Sequence, residues 1–148
     1  MGASVSAPEA EAAPPPLQRL KKRKDFLLAA RARRWTAPGF VLQARRRRDD
    51  ERAAPSDLIR IGYTASKKVG GAVARNRSKR RLRALAEPAL AQLGRPGWDY
   101  VLIARAGETA LRPFTQMQSE LRRAVEKVHD GGSGGRGARP EKRQSRRR

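Results

Sequence analysis

A run of cationic side chains is the most distinctive chemical feature of this 148-residue sequence. From Arg75 to Arg83, six of the nine residues are Lys or Arg and none is acidic. On a helix, Arg75, Lys79 and Arg83 share one face because they are spaced four residues apart. Arginine forks match phosphate oxygens, and Asn76 adds a side chain that can bond a base edge or a ribose hydroxyl. The segment therefore predicts a nucleic-acid-binding helix rather than a solvated charged face.

Such a helix needs support, because like charges four residues apart destabilise it in isolation. A second face carries Ala74, Ser78, Leu82 and Leu85, which can pack on a sheet. The preceding residues 67–71 are Lys-Lys-Val-Gly-Gly and lie between a predicted strand and this helix. They lack the G-x-x-x-x-G-K-[ST] pattern of a phosphate loop, so we expect no nucleotide cofactor.

The residue types that carry protein-based catalysis are scarce. There is no cysteine, which excludes disulfides, thiol catalysis and thiolate metal sites, and His129 is the single histidine. Acidic residues that could hold catalytic metal ions cluster only at Asp49-Asp50-Glu51, in a predicted loop between basic runs. We therefore predict no catalytic side chain and no metal site in the protein itself.

The overall charge points to a polyanionic partner. Lys and Arg number 35 against 14 acidic residues, and the formal net charge is +21. Nucleic acid is the leading candidate and an anionic membrane surface the second. No stretch approaches the ~20 apolar residues of a spanning helix, and the first residues lack the pattern of a secretory signal. We therefore expect no membrane partner.

The sequence predicts three helices, one of them the basic helix, and three main strands that form the sheet on which it packs. The Val101-Leu102-Ile103 run is typical of a central strand covered on both faces. Together the elements predict an α/β (α+β) two-layer sandwich with a small sheet of three to four strands and about three helices. The predicted helices are 25–33, 72–87, ended or kinked by Pro88, and one starting at Pro113. The last helix carries a predicted apolar stripe of Phe114, Met117, Leu121, Ala124, Val125 and Val128. The predicted strands are 40–46, 58–66 and 98–106.

The predicted domain is flanked by two segments of biased composition. Residues 1–17 are rich in Ala and Pro and predict a disordered arm. Residues 130–148 begin with glycines and end in three arginines, which predicts a disordered basic tail. The RNA-binding domain is expected to span residues 18–129.

Several motifs resemble the bacterial ribonuclease P protein family. The block Ser66-Lys67-Lys68-Val69-Gly70, followed by Ala72-Val73 and Arg75-Asn76-Arg77-x-Lys79-Arg80, is similar to the signature of that family. Leu20-Lys21-Lys22 with Asp25-Phe26 resembles its opening, and residues 99–105 resemble its last strand. The likeness extends from Leu20 to Val128, and the central block is its most specific part.

The resemblance implies both a fold and a function. It implies a left-handed β-α-β crossover through the basic helix, against the general right-handed rule. It implies the protein subunit of an endoribonuclease ribonucleoprotein in the bacterial cytoplasm, which removes the 5′ leader of precursor tRNA by hydrolysis. The partners would be the catalytic RNA and precursor tRNA. That RNA would carry the chemistry and hold magnesium, so no side chain of this chain would be catalytic.

The resemblance also assigns residues by position. Predicted contacts to the catalytic RNA are Lys67, Lys68, Arg75, Asn76, Arg77, Lys79, Arg80 and Arg83. A cleft for the single-stranded leader is predicted between the first helix and the sheet, lined by Lys22, Phe26, Arg60, Thr64 and Ser66. Relatives often carry further aromatics where this chain has Ala30 and Gln43, so stacking on the leader is expected to be thinner. Phe26 itself is equally consistent with an ordinary core residue.

Two other functions fit parts of the sequence. A ribosomal or other structural RNA-binding protein would be equally small, basic and free of cysteine, and the identity of co-purifying RNA would separate it from a ribonuclease P subunit. A stand-alone metal-dependent nuclease would need clustered carboxylates, which the scattered acids do not supply.

Overall fold

The computed structural model describes residues 17–48, 57–130 and 134–135. Most of the predicted arm and tail, and the acidic group 49–51, lie outside the described residues. The three helices are α1 (Arg23–Ala30), α2 (Ala72–Leu93) and α3 (Phe114–His129). The strands are β1 (Leu17–Arg19), β2 (Arg33–Thr36), β3 (Phe40–Arg46), β4 (Ile59–Thr64), β5 (Trp98–Ala104) and β6 (Gly134–Gly135).

The strands form one mixed sheet in the order β1-β4-β5-β3-β2-β6. Strands β4 and β5 are parallel neighbours joined through α2, so the β-α-β crossover through the basic helix is present. Strand β5 pairs with β4 on one side and β3 on the other, which confirms its central position. The α+β class with three helices is confirmed, whereas the left hand of the crossover stays a prediction.

The prediction of three to four strands was too low. Strand β2 pairs antiparallel with β3 across the Pro38-Gly39 turn, and β1 pairs parallel with β4. Both strands are short and largely polar, Leu17–Arg19 being Leu-Gln-Arg and Arg33–Thr36 being Arg-Arg-Trp-Thr, so their sequences show little apolar alternation. Their pairing partners supply the backbone hydrogen bonds that make them strands. Because Arg33 is the first residue of β2, the first helix ends at Ala30 rather than at the predicted Arg33.

The main core lies between one face of the sheet and helices α2 and α3. Alternate strand residues such as Ile59, Leu42 and Tyr100 are fully buried there. The predicted stripe of α3 fills the other side: Met117, Leu121, Ala124, Val125 and Val128 are buried, and Phe114 is half-buried against the same core. On the opposite face, α1 covers a smaller cluster built on Val101.

Helix α2 passes through Pro88 and ends at Leu93, so the prediction that the helix ends at Glu87 was wrong, whereas a kink at Pro88 stays a prediction. A proline inside a helix costs about 3 kcal/mol because it removes a hydrogen bond and crowds the preceding turn. Pro88 lies on the exposed side of α2, while Leu85 and Leu90 are buried on the core side. Burial of Leu90, which follows Pro88, offsets much of that cost, since a buried leucine stabilises by about 1.5–3 kcal/mol.

The single histidine belongs to an aromatic cluster at the end of α3. His129 Nε2 lies 2.7 Å from the Tyr100 hydroxyl, which also accepts a hydrogen bond from the Arg95 N–H at 2.9 Å. The Trp98 ring contacts the His129 imidazole edge-on, with centroids 4.4 Å apart. Burial, with Arg95 and Arg33 nearby, lowers the pKa of His129 to about 4. The imidazole is therefore neutral in the folded protein at neutral pH.

This lowered pKa predicts a loss of stability in mild acid. Between pH 6.5 and pH 4 the unfolded chain binds a proton at position 129 that the folded protein does not, so the free energy of unfolding falls as pH falls. With solvent screening we expect a loss of about 1–2 kcal/mol. Thermal melts at pH 7 and 4.5 should show a larger decrease for the wild type than for His129→Gln. Parallel decreases would contradict the assignment.

Candidate nucleic-acid interface

The basic helix α2 is anchored on one side, as its sequence predicts. Ser78, Leu82 and Leu85 are buried against the core. The approach to the helix is a 3-10 turn at Lys67–Val69, where the Ser66 hydroxyl accepts a hydrogen bond from the Lys68 N–H. Gly70 ends that turn with a φ of 140°, a conformation that favours glycine. The turn thus directs the chain into α2 with its cations on the solvent side.

The predicted RNA-binding residues occupy two parts of this surface. Lys67, Lys68 and Arg77 are exposed at or near the start of α2, and Arg75 is half-buried. The other four predicted residues line a pocket of about 310 Å³ between α2 and β1; they are Asn76, Lys79, Arg80 and Arg83. This Tyr63 pocket contains four cations and no carboxylate; its lining is Arg19, Leu20, Tyr63, Asn76, Lys79, Arg80 and Arg83.

One arginine of the same helix has a structural role. Arg81 donates a hydrogen bond to the Thr109 carbonyl at 2.7 Å and lies over the Phe114 ring. It therefore fastens α2 to the segment that leads into α3. Tyr63, which lines the pocket, is three residues along β4 from Arg60, and burial raises the pKa of its hydroxyl, which stays protonated.

A larger basic groove opens on the other side of β1, beside the start of α1. Its volume is about 880 Å³, within the range of ligand clefts. Arg19 lines both this groove and the Tyr63 pocket, so the two cationic surfaces adjoin at β1. The basic groove is lined by Gln18, Arg19, Lys21, Lys22, Lys24, Asp25, Leu28, Arg45, Arg46, Arg48 and Arg60.

A buried ion-pair network lies beneath the groove. Asp99 is fully buried and receives two hydrogen bonds from Arg60, at 2.9 and 2.7 Å. Arg47 donates to the same carboxylate at 2.5 Å, and Arg45 lies 3.4 Å from it. Arg60 also reaches Asp25 of α1 at 3.3 Å. Hydrogen bonding to Asp99 raises the pKa of Arg60, so this guanidinium remains charged.

Of the five residues predicted for the leader cleft, two line the basic groove. Lys22 and Arg60 line the basic groove, but the Arg60 guanidinium is held by Asp99 and Asp25. Thr64 is the last residue of β4 and Ser66 precedes the 3-10 turn, and neither is among the groove residues. Phe26 is half-buried and packs with Leu20, Ala29, Val101 and Ile103.

Phe26 sits directly on Gly62. A methyl group at position 62 would lie 2.4 and 2.7 Å from two atoms of the Phe26 ring, well inside van der Waals contact. Phe26 and Gly62 are therefore complementary in size. This contact places the ring on the sheet, as the core-residue interpretation of Phe26 requires.

The contact predicts a specific coupling between two variants. Gly62→Ala should lower the free energy of unfolding by about 1–3 kcal/mol, the usual cost of overpacking. Phe26→Ala should remove the clash, so that Gly62→Ala costs much less in that background. A double-mutant cycle by urea denaturation measures the coupling. Additive effects of the two changes would show that the ring does not rest on Gly62.

Most of the groove residues escaped sequence reasoning. Arg19, Lys21, Lys24 and Arg46 were not assigned a role, and Asp99 was noted only as part of a strand. A signal was available in two basic runs: residues 21–24 follow β1 and lead into α1, and residues 45–48 span the end of β3. No local sequence pattern indicated that the Asp99 carboxylate contacts three arginines.

Among the residues that the structure describes, no three His, Asp or Glu side chains are placed to hold a metal ion. In the same part of the chain, no helix has the length and apolarity needed to cross a membrane. The fold and its two adjoining cationic surfaces define a small, basic α+β protein of the nucleic-acid-binding class.

Comparison with known proteins identifies the family. The Ribonuclease P family model matches residues 15–129. The ribonuclease P protein component of Ruegeria pomeroyi is 56% identical over 110 residues, which cover 74% of this chain and 85% of that protein. The corresponding protein of Caulobacter vibrioides is 44% identical over 108 residues, covering 73% and 68%. The chain belongs to the ribonuclease P protein family.

Solved structures agree with this assignment. The ribonuclease P protein of Thermotoga maritima matches with a TM-score of 0.58 and 25% identity, covering 74% of this chain and 96% of that one. The Staphylococcus aureus protein matches with a TM-score of 0.57 and 25% identity, covering 74% and 94%. The fold is therefore shared across relatives of low sequence identity.

Proposed function

We propose that this chain is the protein subunit of ribonuclease P and assists hydrolytic removal of the 5′ leader from precursor tRNA. The observation that carries the proposal is the pair of cationic surfaces that adjoin at Arg19. A subunit that binds a catalytic RNA and its RNA substrate together needs two such surfaces side by side. Membership of the family supports the same function.

In this proposal the two surfaces have different partners. The catalytic RNA binds the α2 surface through Lys67, Lys68, Arg75 and Arg77, together with the Tyr63 pocket. The single-stranded leader lies in the basic groove, next to Lys22. This assignment moves the leader site away from Phe26, Thr64 and Ser66 and towards the exposed cations of β1, α1 and the end of β3.

We further propose that the RNA subunit performs the chemistry. His129 is half-buried and bonded to Tyr100, which suits a structural role better than proton transfer. Asp25 and Asp99 are buried and paired with arginines, so neither carboxylate is open to a metal ion. Magnesium ions that activate the attacking water would be held by the catalytic RNA.

Reconstitution tests this function directly. We expect purified protein alone to leave precursor tRNA uncleaved at any magnesium concentration. With the cognate catalytic RNA it should lower the magnesium and salt needed for cleavage at the mature 5′ end. Cleavage by RNA-free protein, lost on Asp25→Asn or His129→Gln, would place the chemistry on the protein. A protein that neither binds the catalytic RNA nor stimulates it would refute the proposed function.

A further inference from the structure

We propose that a second pocket beside α2, the Glu87 pocket, binds one unpaired guanine nucleotide of an RNA partner, and that the Glu87 carboxylate recognises the base. The proposal adds recognition of a particular base to the phosphate contacts of the α2 surface. It rests on the proposed function for the natural source of the guanine, which is the catalytic RNA or precursor tRNA. The pocket itself is defined by the side chains that surround it.

The Glu87 pocket lies against the Tyr63 pocket, between β1, β4 and α2. Its volume is about 260 Å³, below the roughly 300–1,000 Å³ of clefts for drug-sized ligands, which suits one base rather than a larger ligand. Arg19, Tyr63 and Arg83 line both pockets, so the two are neighbours. The other residues that line the Glu87 pocket are Leu17, Gln18, Ile61 and Glu87.

The apolar part of this lining offers a surface for a base. Leu17 comes from β1, and Ile61 and Tyr63 come from the neighbouring strand β4. Unpaired bases are commonly held against aromatic rings and by hydrogen bonds to their edges. Tyr63 is half-buried, and within the described part of the chain its hydroxyl has no hydrogen-bond partner. A buried donor without a partner costs free energy, so a ligand oxygen that accepts its proton is favoured.

The carboxylate of Glu87 already binds a group that resembles the edge of guanine. Arg83 Nε donates a hydrogen bond to Glu87 Oε2 at 2.9 Å. A guanidinium and the Watson–Crick edge of guanine both present N–H groups on two nitrogens of one carbon, and a carboxylate can accept from both. Adenine and cytosine offer a single amino group, and uracil offers a single ring N–H. Guanine is therefore the base that this carboxylate favours.

Displacement of Arg83 by the base would also free a cation for the phosphate. The side chains of Arg83 and Glu87 are 53% and 41% exposed, so a base can reach the carboxylate and the guanidinium can move away. Exposed ion pairs contribute little to stability, so this exchange of partners costs little. Arg83 can then join Arg19 on the phosphate of the bound nucleotide, because guanidinium groups match phosphate oxygens.

Binding of nucleoside monophosphates to the full chain, measured by calorimetry, tests the base preference. We expect guanosine 5′-monophosphate to bind on the order of 5- to 150-fold tighter than the adenosine, cytidine and uridine monophosphates, as one bidentate contact to a base predicts. Inosine 5′-monophosphate lacks the amino group at C2 and should lose most of this preference. A preference for guanosine 5′-monophosphate below about fivefold would overturn the proposal.

A variant of Glu87 locates the recognition. Glu87→Gln removes a negative charge and should raise the affinity for every nucleotide, so the measured quantity is the ratio of guanosine to adenosine monophosphate affinity. We expect this ratio to fall at least threefold in Glu87→Gln, and to stay unchanged in the matched control Glu126→Gln, an exposed position on α3. An unchanged ratio in Glu87→Gln, or an equal fall in the control, would refute the proposal.

Chemical probing of the reconstituted complex distinguishes the two sources of guanine. A reagent that modifies N1 and N2 of unpaired guanines is applied to the catalytic RNA and to precursor tRNA, each bound to the wild type or to Glu87→Gln. We expect the wild type to protect one guanine that the variant leaves reactive. The RNA that carries this guanine is the natural partner of the pocket. No guanine protected in a Glu87-dependent way in either RNA would refute the proposal.

The cleavage assay separates this inference from the proposed function. If the protein stimulates cleavage by the catalytic RNA but neither prefers guanosine 5′-monophosphate nor protects a guanine, the inference alone is refuted. If the protein does not stimulate cleavage, the proposed function is refuted, while the monophosphate measurements still decide whether the Glu87 pocket binds guanine.

Discussion

Asp99→Asn is expected to lower the free energy of unfolding by about 3–5 kcal/mol, the usual cost of breaking a buried ion pair. Asp99 has no solvent exposure and receives hydrogen bonds from Arg47 and Arg60. In asparagine an NH2 group replaces one carboxylate oxygen, so it faces the arginine N–H groups without accepting a hydrogen bond, and the positive charges of Arg47 and Arg60 lose their counter-ion. Because domains are stable by only about 5–15 kcal/mol, the loss is a large fraction of the total.

Thermal and urea unfolding measure this effect, with a melting temperature about 10 °C lower or more expected. The matched control is Glu87→Gln, the same chemical change in the pair that Glu87 forms with Arg83 at 2.9 Å. Both partners of that pair are well exposed, so the change should stay within about 0.5 kcal/mol. Similar losses in the two variants would show that the Asp99 network contributes no more than a surface pair.

Arg75→Ala combined with Arg77→Ala is expected to weaken binding of the catalytic RNA tenfold or more. Each hydrogen bond to a charged group contributes roughly 1.5–3 kcal/mol, and neither arginine is buried in the core. The fold should therefore be retained. The dependence of log affinity on log salt should also flatten, because fewer counterions are released when fewer phosphates are contacted.

Filter binding or fluorescence anisotropy over a salt series measures both quantities, alongside a thermal melt. Arg122→Ala with Arg123→Ala is the matched control, since it removes two exposed arginines from α3. Unchanged affinity and salt slope in the Arg75 and Arg77 variant would place the RNA surface elsewhere. A loss of the same size in the control would show that only total charge matters.

Features with a local period were correctly predicted from the sequence. The anchored face of the basic helix is buried at Ser78, Leu82 and Leu85, as its spacing indicated. The apolar stripe of α3 also agrees with prediction, because burial of apolar side chains at a regular period determines which face turns inward. The central position of β5 was predicted from its unbroken apolar run, which is typical of a strand covered on both faces. The signature around residues 66–80 was sufficient to indicate the family.

Features that depend on partners distant in sequence could not be predicted in this way. Strands β1 and β2 are short and charged, and they exist through pairing with β4 and β3. The continuation of α2 beyond Pro88 depends on burial of Leu90, a matter of packing that the local proline rule does not include. Local propensity was outweighed at both places by tertiary contacts.

The site shows the same division. The sequence by itself determined that the protein is strongly basic, lacks cysteine and carries a helix of arginines suited to phosphate. Only the tertiary structure decided that Phe26 rests on Gly62 and that Asp99 binds Arg60, 39 residues away. The basic groove likewise combines residues from β1, α1, β3 and β4. Charged residues that are distant in the sequence lie close together in the groove because the sheet places their strands side by side. No local sequence pattern specifies this proximity.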